Sequence, residues 1–288
     1  SAGHISTEEG AELIADLDAA MKDWPGRFVP GVSYRHLLII EGDFDGLQCV
    51  PPHNAVGDSL DEAMPGGDQG QLLREMMAAA RPVLENHPVN RARREKGLNP
   101  ANMIWLWGQG RKPAFPSFME KYGVGGAIIS AVDLIKGIGH FAGLETPHVP
   151  GATAYFDTDL EAKTSSALAI LKRDDFCFVH VEAPDEAGHT GQVATKVEMI
   201  ENFDRRLVGP ILAWLEEHGV FRVVVVPDHA TPVELRVHTA EAVPFALYAT
   251  GGQPDAGEHF SEVAARSGSV HVAEGHRLMD LLIRRSQD

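Results

Sequence analysis

Two short runs limit the fold most: "FCFVHVE" at 176–182 and "FRVVVVP" at 221–227. A strand with one face in water alternates apolar and polar residues. A run that is apolar at nearly every position is buried on both faces, as in a parallel sheet covered by helices. From about residue 58, helical and strand patterns alternate. "QGQLLREMMAAARPVLENH" reads as a helix that Pro82 should kink, "NMIWLW" as a strand, and "GGAIIS" then "AVDLIKGIGHFAG" as strand and helix. "DTDLEAKTSSALAILKRD" reads as a helix capped by Asp157 or Thr158. "VATKVEMIENFDRRLVGPILAWLEEHG" reads as helical with a kink at Pro210, "PFALYAT" as a strand, and "GHRLMDLLIRRS" as a closing helix. The predicted class is α/β, a mostly parallel sheet with helices on both faces, over 58–288.

Residues 1–57 read differently. Ser6 and Glu9 form a capping box, and Ile5, Leu13, Ile14 and Leu17 give one apolar helix face. "GVSYRHLLII", the turn "EGDFDG" and "LQCV" predict a β-hairpin. This predicts a small α+β insert domain over 1–57.

Lys plus Arg is 25 and Asp plus Glu is 41, a formal charge of −16. That balance argues against nucleic acid and anionic membranes as partners, which need positive surface. A small anion needs only a local cluster of cations. No apolar run reaches transmembrane length, and Glu8 and Glu9 stand where a signal peptide would be basic. Cys49 and Cys177 are the only cysteines, which favours a reducing cytoplasm.

In open α/β sheets, ligands bind beyond the carboxyl ends of the strands. Asp185 and His189 follow the first apolar run, Asp228 and His229 follow the second, and His238 precedes "PFALYAT". An Asp-x-x-x-His pair alone is also an ordinary helix-surface pair, and an Asp-His dipeptide is often a turn or cap. Together, after buried strands, they point to a metal site. Carboxylate oxygen with imidazole nitrogen suits Mn²⁺ or Zn²⁺ better than Ca²⁺ or Mg²⁺. Five such residues exceed what one ion takes while leaving an open position, so two ions are expected, a pair suited to phosphoryl transfer. Glu182 and Glu186 read as solvated or as supporting the ligands from behind.

"FVHVEAPDEAGHTG", "VVVVPDHATP" and "HTAEAVPFALY" resemble the metal-binding segments of the alkaline phosphatase superfamily. With "SAGHISTEE", "GVSYRHLL", "WLWGQGRKPAFPSF" and "AVDLIKGIGHFAGL" in order, the chain resembles the archaeal-type cofactor-independent phosphoglycerate mutases over essentially its whole length. The resemblance implies an isomerase that interconverts 3- and 2-phosphoglycerate, a small phosphorylated three-carbon acid, through a phosphoserine. It implies two divalent ions, chiefly Mn²⁺, with Zn²⁺ or Mg²⁺ as alternatives. Asp185, His189 and His238 would hold one ion, and Asp228 and His229 part of the other. Arg111, after Gly108-Gln109-Gly110, can grip phosphate or carboxylate with its planar fork. Lys136 stands where the wider mutase group keeps a substrate lysine, either snorkelling outward or pointing into a site with a catalytic role. Arg35 and His36 alternate along a strand, and Arg35 is the one expected to reach the ligand. His4 and His53 are substrate candidates by family position. Trp105 and Trp107 are expected in the core.

In the family, an Asp-Gly at the end of the first strand and the nucleophilic serine precede the "SAGHIS" region, where this sequence opens at Ser1. Ser117, Ser130, Ser165, Ser166 and Thr190 do not match the nucleophile motif. The expectation is that the 288 residues by themselves lack the nucleophile, one metal-ligand Asp and the first strand. They would then be inactive as a mutase unless an N-terminal segment or a partner chain supplies these. A homo-oligomer is the other partner arrangement considered. Related activities are a proposed homoserine kinase, a phosphatase or a phosphopentomutase; no Walker A or kinase-type Gly-rich loop is present. A non-catalytic metal-binding remnant is the alternative outside enzymes.

Overall fold

A computed structural model describes residues 1–52, 55, 57, 59–255, 257 and 259–283. His53 lies outside the described residues. The chain divides into two compact units, Ser1–Lys112 and Pro113–Asp288.

In the first unit, helix Thr7–Ala20 starts at the expected capping box of Ser6 and Glu9. Its Ile14 and Leu17 pack with Leu73, Met76 and Ala80 of helix Gly70–Glu85. Because these two helices share one core, the unit runs on past residue 57, the division expected from sequence, to Lys112. Pro82 lies in the last turn of its helix, which ends three residues later. The expected hairpin does not form. Leu37–Ile39 pairs antiparallel with Arg27–Val29, and Leu47–Gln48 pairs with Gly66–Gly67. The cause is local: Asp18 accepts the Phe28 N–H at 2.6 Å, and His36 Nδ1 accepts the Gly31 N–H at 3.1 Å, closing the turn on the upstream side. The expected strand "NMIWLW" is irregular. Ile104 and Leu106 are apolar because they pack on this core, while Trp105 donates Nε1–H to the Val50 carbonyl. Trp107 is 49% exposed rather than in the core.

In the second unit, Gly126–Ile129 and Phe176–Val179 pair in parallel. Adjacent strand residues point to opposite faces. Ile128 joins Leu144 and Phe176 in one cluster, and Ile129 joins Val149 and Ala167 in another. Both faces of the pair therefore carry apolar clusters, but Phe178 is 37% exposed, and the strand of the second run, Arg222–Val225, is only half-buried with Val226 exposed, where full burial was expected. Helix Leu160–Leu171 packs on it and is capped by Asp159, whose side chain accepts from Ala162 N, rather than by Asp157 or Thr158. Arg222–Val225 pairs antiparallel with Ala246–Ala249, so not every strand follows the expected parallel direction. Helices Val193–Phe203 and Gly209–His218 are joined by a π-helical turn, Asp204–Val208, which leads into Pro210. A π turn absorbs the break in the hydrogen-bond ladder that proline imposes.

Arg93 is buried and holds the opening loop of the first unit. It donates to Glu9, to the Ala2 and Gly3 carbonyls and to the Asn99 carbonyl. Ala2, Gly3 and His4 all have positive φ, a left-handed turn that this clamp sustains. Arg93→Met should cost about 3 kcal/mol, because it leaves a partly buried carboxylate and several carbonyls unpaired. Urea denaturation checks this; a loss under 1 kcal/mol would contradict the clamp.

Candidate metal centre

The parallel strand Phe176–Val179 delivers the chain to helix Ala183–Thr190, which has Pro184 in its first turn and is closed by Gly191 in the left-handed conformation. Asp185 and His189, four residues apart, share one face of that helix. Their side chains meet at 3.2 Å, His189 Nε2 to Asp185 Oδ2. The second strand, Arg222–Val225, delivers Asp228 and His229. A backbone bridge between Ala230 and Thr239 then closes the loop that carries His238. As a result the His229 and His238 rings meet at a tilt of 32°, their centroids 3.8 Å apart.

His238 Nε2 lies 3.4 Å from Asp185 Oδ1 and 3.0 Å from His189 Nε2. Donors each about 2.1 Å from one ion are separated by roughly 3.0–3.4 Å when they subtend about 90–110° at it. Taken over both Asp185 oxygens, Oδ2 toward His189 and Oδ1 toward His238, the spacings of Asp185, His189 and His238 have these values, so their chemistry and spacing suit a divalent ion. Asp185, His229 and His238 also place one donor atom each within 4.8 Å of one another. Asp228 stands at the margin, mostly exposed, with Oδ2 3.4 Å from His229 Nε2 and Oδ1 accepting the His229 N–H. The five residues singled out in the sequence thus converge on one locale of the second unit.

Arg111 is 69% exposed, and its fork is paired with Asp43 and Asp45, the acids of the "EGDFDG" turn. Arg35 lies over the Tyr34 ring, its Cζ 4.6 Å from the centroid, and His4 is exposed. All three belong to the first unit. Half-buried His36 closes its own turn, and burial lowers its pKa. Lys136, on helix Asp133–Phe141, pairs with Asp133 at 3.3 Å.

Behind the ligands lies a polar layer of which the sequence reading offered only Glu182 as a supporting residue and missed Ser130, His180 and Lys163. Ser130 Oγ is 3.2 Å from His180 Nδ1, and His180 Nε2 is 3.3 Å from Glu182 Oε2. Burial, then the neighbouring Asp185, Asp228 and Glu186, raises the Glu182 carboxyl. Burial lowers His180, assisted by Lys163 and opposed by Asp228 and Asp185. Lys163 is 1% exposed, and its Nζ donates to the His180 carbonyl at 3.0 Å. Burial pulls this lysine down to about 8, against the pull of Glu182. Its sequence signal was spacing: Leu160, Lys163, Thr164, Ala167 and Ile170 form one buried helix face.

The chain matches two family models, the metalloenzyme superfamily over residues 51–285 and 2,3-bisphosphoglycerate-independent phosphoglycerate mutase over residues 1–90. It is 47% identical over 287 residues to the 2,3-bisphosphoglycerate-independent phosphoglycerate mutase of Methanosarcina acetivorans, covering 99% of this chain and 72% of that protein. The chain belongs to this mutase family. A probable mutase of Geobacter sulfurreducens is also 47% identical, with the same coverage. Among solved structures, a Pyrococcus horikoshii protein aligns with TM-score 0.80 at 26% identity, over 98% of this chain and 70% of that one. The cofactor-independent phosphoglycerate mutase of Thermoplasma acidophilum aligns with TM-score 0.61 at 24% identity and equal coverage, a likeness of fold. The expected fold class, alkaline-phosphatase-like α/β, agrees with these matches, and the superfamily is one of divalent-metal enzymes.

The depressed Lys163 ammonium has a stability consequence. Its folded pKa lies below the unfolded value, so the unfolded state binds the proton more tightly and stability rises with pH. The penalty is complete below about pH 8 and fades as pH rises toward 10.5, the ordinary value for lysine. Relative to Lys163→Met, the wild type should therefore gain stability between pH 7.5 and pH 10. Urea midpoints of both proteins at the two pH values check this; a constant gap would refute it.

Proposed function

We propose that this chain carries the metal-binding part of a mutase that moves a phosphoryl group between the 2- and 3-hydroxyls of glycerate. The convergence of Asp185, His189, His229 and His238 at the strand ends, in a chain of this family, is the observation that carries the reading. Asp185, His189 and His238 hold one ion, and Asp228 with His229 contributes to a second. Mixed oxygen and nitrogen donors suit Mn²⁺ or Zn²⁺, and of the two Mn²⁺ is the ion that the family resemblance implies. Bound divalent ions supply Lewis-acid stabilisation of charge on a transferring phosphoryl group.

The chain's own residues orient that chemistry. His189 Nδ1 faces the Arg236 carbonyl at 2.9 Å, which commits Nδ1 to donate and leaves the Nε2 lone pair for the ion. Lys163 and Lys196 donate to the His180 and Thr231 carbonyls and hold the two ligand-bearing segments. No residue of this chain is assigned the nucleophile's role. Lys136, Arg111, Arg35, His4 and His53 remain substrate candidates by family position. Among the described residues no helix is long and apolar enough to cross a membrane. Both cysteines are free, and burial pushes Cys177 up to about 12, which leaves it an unreactive thiol.

Asp185→Asn should weaken Mn²⁺ binding on the order of 100-fold or more, since it removes a charged donor facing two imidazoles. Electron paramagnetic resonance of free Mn²⁺ reads this directly; equal binding by the two proteins would overturn the assignment. For the reaction, ³¹P NMR of the full-length gene product should follow 3-phosphoglycerate becoming 2-phosphoglycerate in a Mn²⁺-dependent, chelator-sensitive manner. Mn²⁺ binding with no isomerisation would overturn the mutase reading.

A further inference from the structure

Thr231 is buried, 3% exposed, where the two ligand-bearing segments meet. Its Oγ1 makes a short hydrogen bond to Asp185 Oδ1 and lies 3.3 Å from His229 Nδ1. A hydroxyl has one hydrogen to give. Ionised Asp185 can only accept, so the threonine hydrogen goes to the carboxylate. The hydroxyl oxygen then accepts at His229, which requires the hydrogen on Nδ1. That tautomer leaves the His229 Nε2 lone pair on the side facing away from Thr231, 3.4 Å from Asp228 Oδ2, where a cation can sit between the nitrogen and the carboxylate.

We infer that Thr231 is a positioning residue of the metal centre, setting the His229 tautomer and the Asp185 carboxylate orientation with one hydroxyl. This rests on the metal reading above. Two contacts fix the threonine itself. Lys196 Nζ donates to its carbonyl at 2.6 Å. That carbonyl also lies against Gly188, where a Cβ would come within 2.5 Å of the oxygen. Thr231 thus ties one ligand from the helix Ala183–Thr190 to another from the segment after Arg222–Val225. Supporting groups of this kind are worth about 10–100-fold in metal affinity.

Thr231→Val keeps the shape and removes the hydroxyl, whereas Thr231→Ser keeps the hydroxyl. Mn²⁺ titration should give a dissociation constant about 10–100-fold higher for T231V than for wild type, with T231S close to wild type. Long-range ¹H–¹⁵N spectra of histidine-labelled, metal-free protein above pH 8 should place the His229 hydrogen on Nδ1 in wild type and T231S, and show a mixture with the Nε2–H tautomer in T231V, where Asp228 is the remaining acceptor. A merely structural threonine would alter thermal stability and leave the tautomer unchanged. Wild-type His229 protonated on Nε2, or T231V binding Mn²⁺ within twofold of wild type, overturns the inference. If wild type binds no Mn²⁺ yet shows the Nδ1 tautomer lost in T231V, the metal reading falls and the role of Thr231 in setting the tautomer stands. If T231V does not fold, the tautomers of wild type and T231S decide.

Discussion

The carbonyl of Thr231 occupies the space a side chain on residue 188 would need. This close approach is what the candidate metal centre depends on. Asp185 and His189 come from a helix after one strand, and His229 and His238 from the segments around another. Only glycine at 188 lets the helix backbone approach Thr231 closely enough for Asp185 and His229 to share one hydroxyl. The chemistry of the site is thus set by a packing constraint on backbone atoms, and the side chains follow.

Charge shapes the same region. Glu182, Asp185, Glu186 and Asp228 are near enough to hold the Glu182 carboxyl up. Crowded carboxylates repel one another and attract cations, so a protein of net charge −16 is locally prepared for divalent ions. Lys163 and Lys196 serve a different end: both donate to backbone carbonyls, at His180 and Thr231, and both lie behind the ligands. They stiffen the segments and temper the repulsion without taking up donor atoms of Asp185 or the imidazoles.

Asp185, His189, Asp228 and His229 stood out because chemistry-bearing residues after nearly continuous apolar runs have a positional meaning in α/β sheets, whatever their contacts, and His238 because it precedes a further strand. Apart from Glu182, the supporting layer was not legible. Ser130, His180 and Thr231 look like ordinary strand-end polar residues, and only their distances give them roles. Lys163 was readable in principle from its place on an apolar helix face. Several elements were misread for related reasons. "NMIWLW" is apolar to serve a core, a demand that does not require a strand. The hairpin failed because side-chain contacts of Asp18 and His36, remote or inside the turn, chose the upstream partner. The strand Ala246–Ala249 carries no mark of direction, since burial pattern alone does not separate parallel from antiparallel pairing.

The loop between His229 and His238 shows how the backbone aims a donor. Leu235 and Arg236 both donate their N–H groups to the Pro232 carbonyl, and Thr239 donates to Ala230, so the loop is closed at two levels. Arg236 sits at φ 59, a left-handed conformation that costs a residue with a side chain on the order of 1–2 kcal/mol. What the strain accomplishes is visible in the next contact: the Arg236 carbonyl turns toward His189 Nδ1. Two imidazoles therefore have their Nδ1 atoms engaged by the same loop, His189 through the Arg236 carbonyl and His229 through the Thr231 hydroxyl. Both are left with Nε2 directed outward, toward His238 in one case and Asp228 in the other. A loop that orients two rings in the same sense spends its strain on presenting nitrogen lone pairs, which is the arrangement a metal ion requires.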